Sequence, residues 1–270
     1  MKILAQISDL HFGTEDKLVA EALVKDLNQL GLSLLIVSGD LTQRARKKQF
    51  INARSYLSRL PKPQLVIPGN HDIPLFDLFR RIFMPLTRYR KYITKNVTPF
   101  YTEEGLAVLG LNTARPYKWK NGDISREQIE MVKTRMCEIS DEYFKIVVTH
   151  HPFIPPPNDD LIDLVNKAQL AVDVIDPCGI DLLLAGHLHH GYTGDIRKHY
   201  PSSARSIIVA QAGTAISNRV REEPNSYNVI SINEDWFEIC VRVFNGSNFV
   251  EKLKIKYNYT AGQWVQEIPD

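Results

Sequence analysis

The 270-residue sequence has little cysteine, no long apolar run and almost no net charge. Cys137, Cys178 and Cys240 are odd in number and widely separated. They make neither a CxxC metal knot nor a disulfide framework, and they predict a reducing compartment, the cytoplasm. No apolar stretch approaches the roughly 20 residues needed to cross a membrane. Met1 leads straight into Lys-Ile-Leu-Ala-Gln-Ile, so no cleaved signal peptide is expected ahead of Asp9. A formal net charge of +2 is too small to imply a nucleic-acid partner. Internal repeats, low-complexity tracts and flexible linkers are also missing, so nothing marks a boundary within residues 1–270. A single domain of this length buries about three-quarters of its extended-chain surface and needs no staple.

What the chain does have is alternation. Short runs rich in Val, Ile and Leu stand at Ile3–Ile7, Leu34–Val37, Leu65–Ile67, Leu106–Leu111, Ile146–Val148, Leu182–Leu184 and Ile207–Ala210. They are too short for helices and fit buried strands. Amphipathic stretches lie between them. Thr14 can cap a helix whose first turn holds Glu15 and Asp16 and whose stripe of Leu23, Leu27 and Leu30 is closed by Gly31. Thr42 can open a helix that turns Phe50, Ala53, Leu57 and Leu60 inward. Ser125 and Gln128 form a capping box ahead of Ile129, Val132, Met136 and Ile139. Leu161, Leu164, Ala168, Val172 and Ile175 make a further stripe, stopped near Gly179. Strand–helix alternation predicts an α/β fold. After Ser206 the helical pattern stops. Ile207–Ala210, Tyr227–Ile232, Phe237–Val243 and Phe249–Ile255 are then expected as antiparallel strands that close the fold as a second sheet.

The chemistry lies at the ends of the runs. Ile3–Ile7 leads to Asp9 and His11, and Leu34–Val37 to Gly39-Asp40. Leu65–Ile67 leads to Gly69-Asn70-His71-Asp72, Ile146–Val148 to His150-His151-Pro152, and Leu182–Leu184 to Gly186-His187-Leu188-His189. Of the eight histidines, only His199 lies elsewhere. A lone polar residue at a strand end is ordinary. Five strand ends of the same kind are not, and ligands of α/β sheets bind beyond the carboxyl ends of strands. Asp, His and Asn without thiolate suit Mn, Fe or Zn rather than copper(I) or a cluster. Seven candidate ligands exceed one tetrahedral site and suit two ions sharing a carboxylate.

These blocks, in this order through the first 190 residues, resemble the calcineurin-like metallophosphoesterase family. The resemblance implies two packed mixed β-sheets flanked by helices, a four-layer α/β/β/α sandwich. It implies that Asp9, His11 and His189 hold one metal, that Asn70, His150 and His187 hold the other, and that Asp40 bridges them. His150 takes the ligand position two residues before Pro152, leaving His151 spare. His71 would face the substrate with Asp72 orienting it, and Asn70 would share in substrate binding. The sequence departs from the family in one place, where Ala45 rather than Gly follows Arg44. The stretches Gly39-Asp40-Leu41-Thr42-Gln43-Arg44, Gly110-Leu111-Asn112-Thr113-Ala114-Arg115 and Ala212-Gly213-Thr214-Ala215 look like the branch containing class III cyclic nucleotide phosphodiesterases. A related branch hydrolyses the pyrophosphate of UDP-diacylglucosamine in lipid A synthesis. A non-catalytic scaffold on the same fold is a third possibility, but it should have lost ligands, and none is missing here.

The implied activity is hydrolysis of a small phosphodiester by a hydroxide shared between two cations, which also neutralise the phosphate. His71 would then protonate the leaving alkoxide. Asp72 has two readings, an orienting partner of His71 or a turn residue. Arg44 is expected to contact a phosphate or pair with a carboxylate. Residues 74–100 hold Arg80, Arg81, Arg88, Arg90, Lys91 and Lys95 against one acid, Asp77, among many apolar side chains. Either they form a surface helix pair, apolar side inward, or they cap the cleft, steer anionic substrates and touch a membrane. Oligomeric state leaves no mark on the sequence.

Overall fold

Parallel strands buried on both faces must be apolar on both faces, and the short runs obey this. In the computed structural model, which describes residues 1–157, 159, 162–219 and 223–268, they become the centres of two sheets. The first sheet starts with β1 (Lys2–Ile7), β2 (Leu34–Ser38) and β3 (Gln64–Ile67), all parallel. The second holds β4 (Phe100–Glu103), β5 (Leu106–Gly110), β6 (Phe144–Val148), β7 (Leu182–Ala185), β8 (Tyr192–Asp195) and β9 (Ile208–Gln211). The chain then returns to the first sheet through β10 (Ser226–Ile232), β11 (Trp236–Phe244), β12 (Phe249–Thr260) and β13 (Gln263–Gln266).

The strand orders are β13-β12-β11-β10-β1-β2-β3 and β4-β5-β6-β7-β9-β8. This corrects one expectation. The C-terminal strands do not build a second sheet of their own; β10 pairs antiparallel with β1, Lys2 opposite Ile232, and lengthens the first sheet. Ile207–Ala210 is not one of that antiparallel set. As β9 it runs parallel to β7 in the other sheet.

Side-chain alternation explains the layers. Leu34 and Ile36 of β2 face Val108, Ile146, Val148, Leu182 and Leu184 in a core between the sheets. Leu35 and Val37 face the other way, toward helices α1 (Lys17–Leu27) and α2 (Lys47–Leu57). Residues 78–83 and 87–92 form two short helices, α3 (Leu78–Phe83) and α4 (Thr87–Tyr92). Val147 and Leu183 meet the helices of the far side, α5 (Arg126–Val132) and α6 (Ala168–Ile175). The result is a helix–sheet–sheet–helix sandwich.

The helix starts were partly legible. Asp16 rather than Thr14 caps α1, its Oδ1 accepting from the amides of Leu18 and Val19. Ser125 and Gln128 form the expected capping box of α5. Thr42 starts no helix, because its amide and hydroxyl are both bound to Asp72, and α2 begins at Lys47. α6 begins only at Ala168, after Lys167 in a left-handed conformation; Leu164 stays outside it, and Leu161 lies outside the described residues. The cysteines also depart from expectation. Cys137, just after α5, is joined in a disulfide to Cys178, just after α6, and only Cys240 is free and buried. The fold brings together two residues 41 apart that no local spacing pairs. No helix among the described residues is long and apolar enough to cross a membrane.

Candidate metal centre

The carboxyl ends of β1, β2 and β3 meet those of β6 and β7 along one edge of the sandwich. Asp9 and His11 follow β1, Asp40 follows β2, and Asn70 and His71 form a single helical turn after β3. His150 follows β6, while His187 and His189 follow β7. Holding such groups together distorts the backbone. Asp9, His11, Asp40, His187 and His189 all have positive φ, between 45° and 78°. That conformation is costly for residues with a Cβ and persists where the surroundings dictate it. Gly39 reaches φ +101°, and any side chain there would collide with the ring of His150.

Asp9, His11 and His189 form one group. Oδ1 of Asp9 lies 3.5 Å from His11 Nε2 and 3.3 Å from His189 Nε2. A second group centres on His150, whose Nε2 is 3.1 Å from Asn70 Oδ1. Rings of His150 and His187 stand edge to face, with centroids 5.2 Å apart. Asp40 touches both groups. Its Oδ2 is 3.6 Å from His11 Nε2, and its Oδ1 is 3.3 Å from His150 Nε2. All seven expected ligands therefore converge, with Asp40 between two sets. Outer partners fix several rings. The carbonyl of Ser38 lies 2.8 Å from His150 Nδ1, and Thr214 Oγ1 lies 2.8 Å from His189 Nδ1.

The electrostatics fit cation binding. Burial works to raise Asp9, but His189, His11 and His150 outweigh it and hold the carboxyl below its ordinary range. Burial is likewise outweighed at Asp40, mainly by His150 and His71. His187 is pushed down to about 3 by burial and by the neighbouring His150. Burial also lowers His150, yet Asp40 and Asp9 overcome it and lift the ring to about 9. Two carboxylates thus keep their charge in a buried site, a setting that would favour a bound cation. Oδ1 of Asp9 is buried and has no hydrogen-bond partner. Such an orphan normally costs stability, and a cation would satisfy it. These residues fit two metal ions.

Around the centre the hydrogen bonds choose between the two readings of Asp72. Asp72 does not orient the His71 ring. Its carboxylate accepts from the amides of Gly69, Leu41 and Thr42 at 3.0–3.1 Å, and from the Thr42 hydroxyl. It ties the β2 and β3 loops together, and burial with Asp40 beside it raises it to about 7. The ring of His71 is held instead by the backbone carbonyl of Gln43, 2.9 Å from Nδ1. His151, the spare member of the pair, lies close to the ligands. It is buried, Thr113 Oγ1 holds its Nδ1 at 2.7 Å, and its Nε2 has no partner. Its donor atom lies within 4.8 Å of those of His150 and His187. The doubled histidine was the available signal. Arg219 was missed altogether. Its Nη1 is 3.5 Å from His71 Nε2 and 3.3 Å from Gln43 Oε1. Arg44 sits nearby, its Nη1 3.3 Å from His71 Nδ1 and 3.0 Å from the carbonyl of Gln43. Asn112 and Arg115 brace their own loop and the start of α5.

The family profile of calcineurin-like phosphoesterases matches residues 2–191, and the chain belongs to that family. It is a metal-dependent phosphoester hydrolase. Among its relatives is a protein of Synechococcus sp. named "probable cyclic nucleotide phosphodiesterase", 26% identical over 70% of this chain and 74% of its own. A second is the 3',5'-cyclic adenosine monophosphate phosphodiesterase CpdA of Haemophilus influenzae, 24% identical over 69% of each chain. Similar folds include a dimetal phosphatase from Danio rerio, with TM-score 0.68, 13% identity and coverage of 96% and 99%. A purple acid phosphatase from yellow lupin superposes with TM-score 0.71 at 9% identity; the chain covers about half of it, 54%.

Proposed function

We propose that the protein is a phosphodiesterase acting on small phosphodiesters, with cyclic nucleotides as the leading substrate class. The observation that carries the hydrolytic part is the placement of Asp40 between two groups of donors. Asp9, His11 and His189 would hold one ion, Asn70, His150 and His187 the other. Bound together, two such ions, Mn, Fe or Zn by donor chemistry, would neutralise the phosphate and acidify a water. The chain's own residues do the rest. Arg44 and Arg219 flank His71 and place positive charge where the non-bridging phosphate oxygens arrive. Gln43's carbonyl accepts from His71 Nδ1–H and aims Nε2 at the cleft. His71 then hands a proton to the departing alkoxide. The names of the Synechococcus and Haemophilus relatives support the cyclic nucleotide assignment.

A second reading, hydrolysis of the pyrophosphate of UDP-diacylglucosamine, is favoured by one observation. Phe76, at the rim beside Arg44, is largely exposed, as are the neighbouring side chains of α3. Metal-reconstituted protein should be assayed against 3',5'-cyclic nucleotides, UDP-diacylglucosamine, bis-p-nitrophenyl phosphate and p-nitrophenyl phosphate. The expected result is turnover of the diesters well above the monoester, with cyclic nucleotides the better natural substrates. Preference for the lipid nucleotide would replace the first reading with the second. Preference for the monoester would overturn both.

A further inference from the structure

Helix α3 is built inside out. Its one buried side chain is a cation, Arg81, which is 3% exposed. That guanidinium donates to the carbonyls of Pro74 and Lys118 and lies 4.6 Å from the centre of the Trp119 ring. Anchored by a polar group, the helix points its apolar side chains outward. Phe76 is 79% exposed, Phe79 66%, Ile82 62% and Phe83 69%, with Leu78 and Met84 also exposed. Trp119 and Tyr117 extend the same apolar region along the neighbouring loop. The expected surface helix pair, apolar side inward, therefore holds for α4, where Leu86 and Tyr89 are buried, and fails for α3.

Scattered exposed apolar residues need no explanation, but a contiguous cluster on a soluble surface does. The charge around this one indicates its partner. Arg90 and Lys91 of α4, the next helix in the chain, are exposed, as are Lys95 after it and Lys120 next to Trp119. The only acid of residues 74–100, Asp77, is paired to Arg80 at 2.6 Å. A second copy of the chain would bring one basic rim against another. An apolar wedge with a cationic border instead matches an anionic lipid surface, where aromatic and aliphatic side chains enter the acyl boundary and Lys and Arg meet the headgroups.

We propose that α3 docks the protein on anionic lipid bilayers, with the metal cleft held at the headgroup level. The carbonyl of Trp119 lies 3.5 Å from Asn70 Nδ2, so the docking face adjoins the candidate centre. The docking does not depend on which phosphodiester is cleaved, and its test needs no turnover.

The test is co-sedimentation of the intact protein with vesicles of phosphatidylglycerol mixed into phosphatidylcholine, and with phosphatidylcholine alone. Wild type should bind the anionic vesicles, and added salt should weaken the binding. F79S/I82S/F83S should lower the partition coefficient at least about tenfold with an unchanged far-UV spectrum, since these side chains are exposed. R90Q/K91Q should weaken binding to anionic vesicles and reduce its salt dependence. Three results would overturn the proposal. They are no wild-type binding, equal binding to neutral vesicles, and undiminished binding of both variants. A wild-type dimer that F79S/I82S/F83S splits, without vesicle binding, would overturn it too and assign the face to a second copy.

Discussion

Asp40→Ala should abolish hydrolysis and lower the occupancy of both metal positions. Loss of an outer partner of a ligand typically costs roughly 10–100-fold in metal affinity, and a shared ligand should cost more at each position. The reason is geometric. Asp40 is the residue that touches both donor groups, through Oδ2 toward His11 and Oδ1 toward His150. It also accepts from the His71 amide at 2.8 Å, so its loss frees the turn after β3. His11 and His150 would then face each other's cation without an anion between. Asn70→Ala should behave differently, weakening chiefly the position next to His150, because it contacts that group alone. Metal content by elemental analysis and the rate on bis-p-nitrophenyl phosphate check both variants. Full occupancy and near-normal rate in Asp40→Ala would contradict the bridging role.

His71→Ala should keep both metals and lose turnover. For alkoxide leaving groups the loss should be on the order of 10²–10⁴-fold, the usual worth of general acid catalysis. For p-nitrophenolate, which departs without protonation, it should be much smaller. Burial depresses His71 below the ordinary imidazole value, with Asp40 opposing, so the free site favours the neutral ring. Protonation therefore has to be sustained by the incoming phosphate, and the alkaline limb of the pH–rate profile on alkoxide substrates, where the acid loses its proton, should vanish in the variant. Rates on a 3',5'-cyclic nucleotide and on bis-p-nitrophenyl phosphate, measured across pH, separate the cases. Equal losses on both substrates would show that His71 only positions the phosphate.

Much of this centre was legible in the sequence because parallel strands impose it. A strand buried on both faces is a short apolar run, its carboxyl end must turn, and adjacent ends share one edge. Asp9, Asp40, Asn70, His150 and His187 could thus be gathered without coordinates. Partner choice among antiparallel strands is not written in an apolar pattern, and so the attachment of β10 to β1 was invisible. Asp72 and Thr42 show a second limit. Each has the sequence marks of a local cap, but their hydrogen bonds join loops 30 residues apart. Cys137 and Cys178 illustrate the same limit. Arg81 shows the limit of amphipathic patterns, since the assumption that apolar side chains face inward inverted α3. Arg219 follows the Ala212-Gly213-Thr214-Ala215 stretch by four residues, but its reach to His71 depends on a loop path that no residue pattern sets.

One chain should bind two metal ions in a centre bridged by Asp40, and both should be needed for phosphodiester hydrolysis. Metal-free protein should be titrated with Mn²⁺ or Zn²⁺ while bound metal and the rate on bis-p-nitrophenyl phosphate are followed together. Bound metal should saturate at two ions per chain, with activity appearing only as the second position fills. Full activity at one ion per chain, or activity in the metal-free protein, would contradict it.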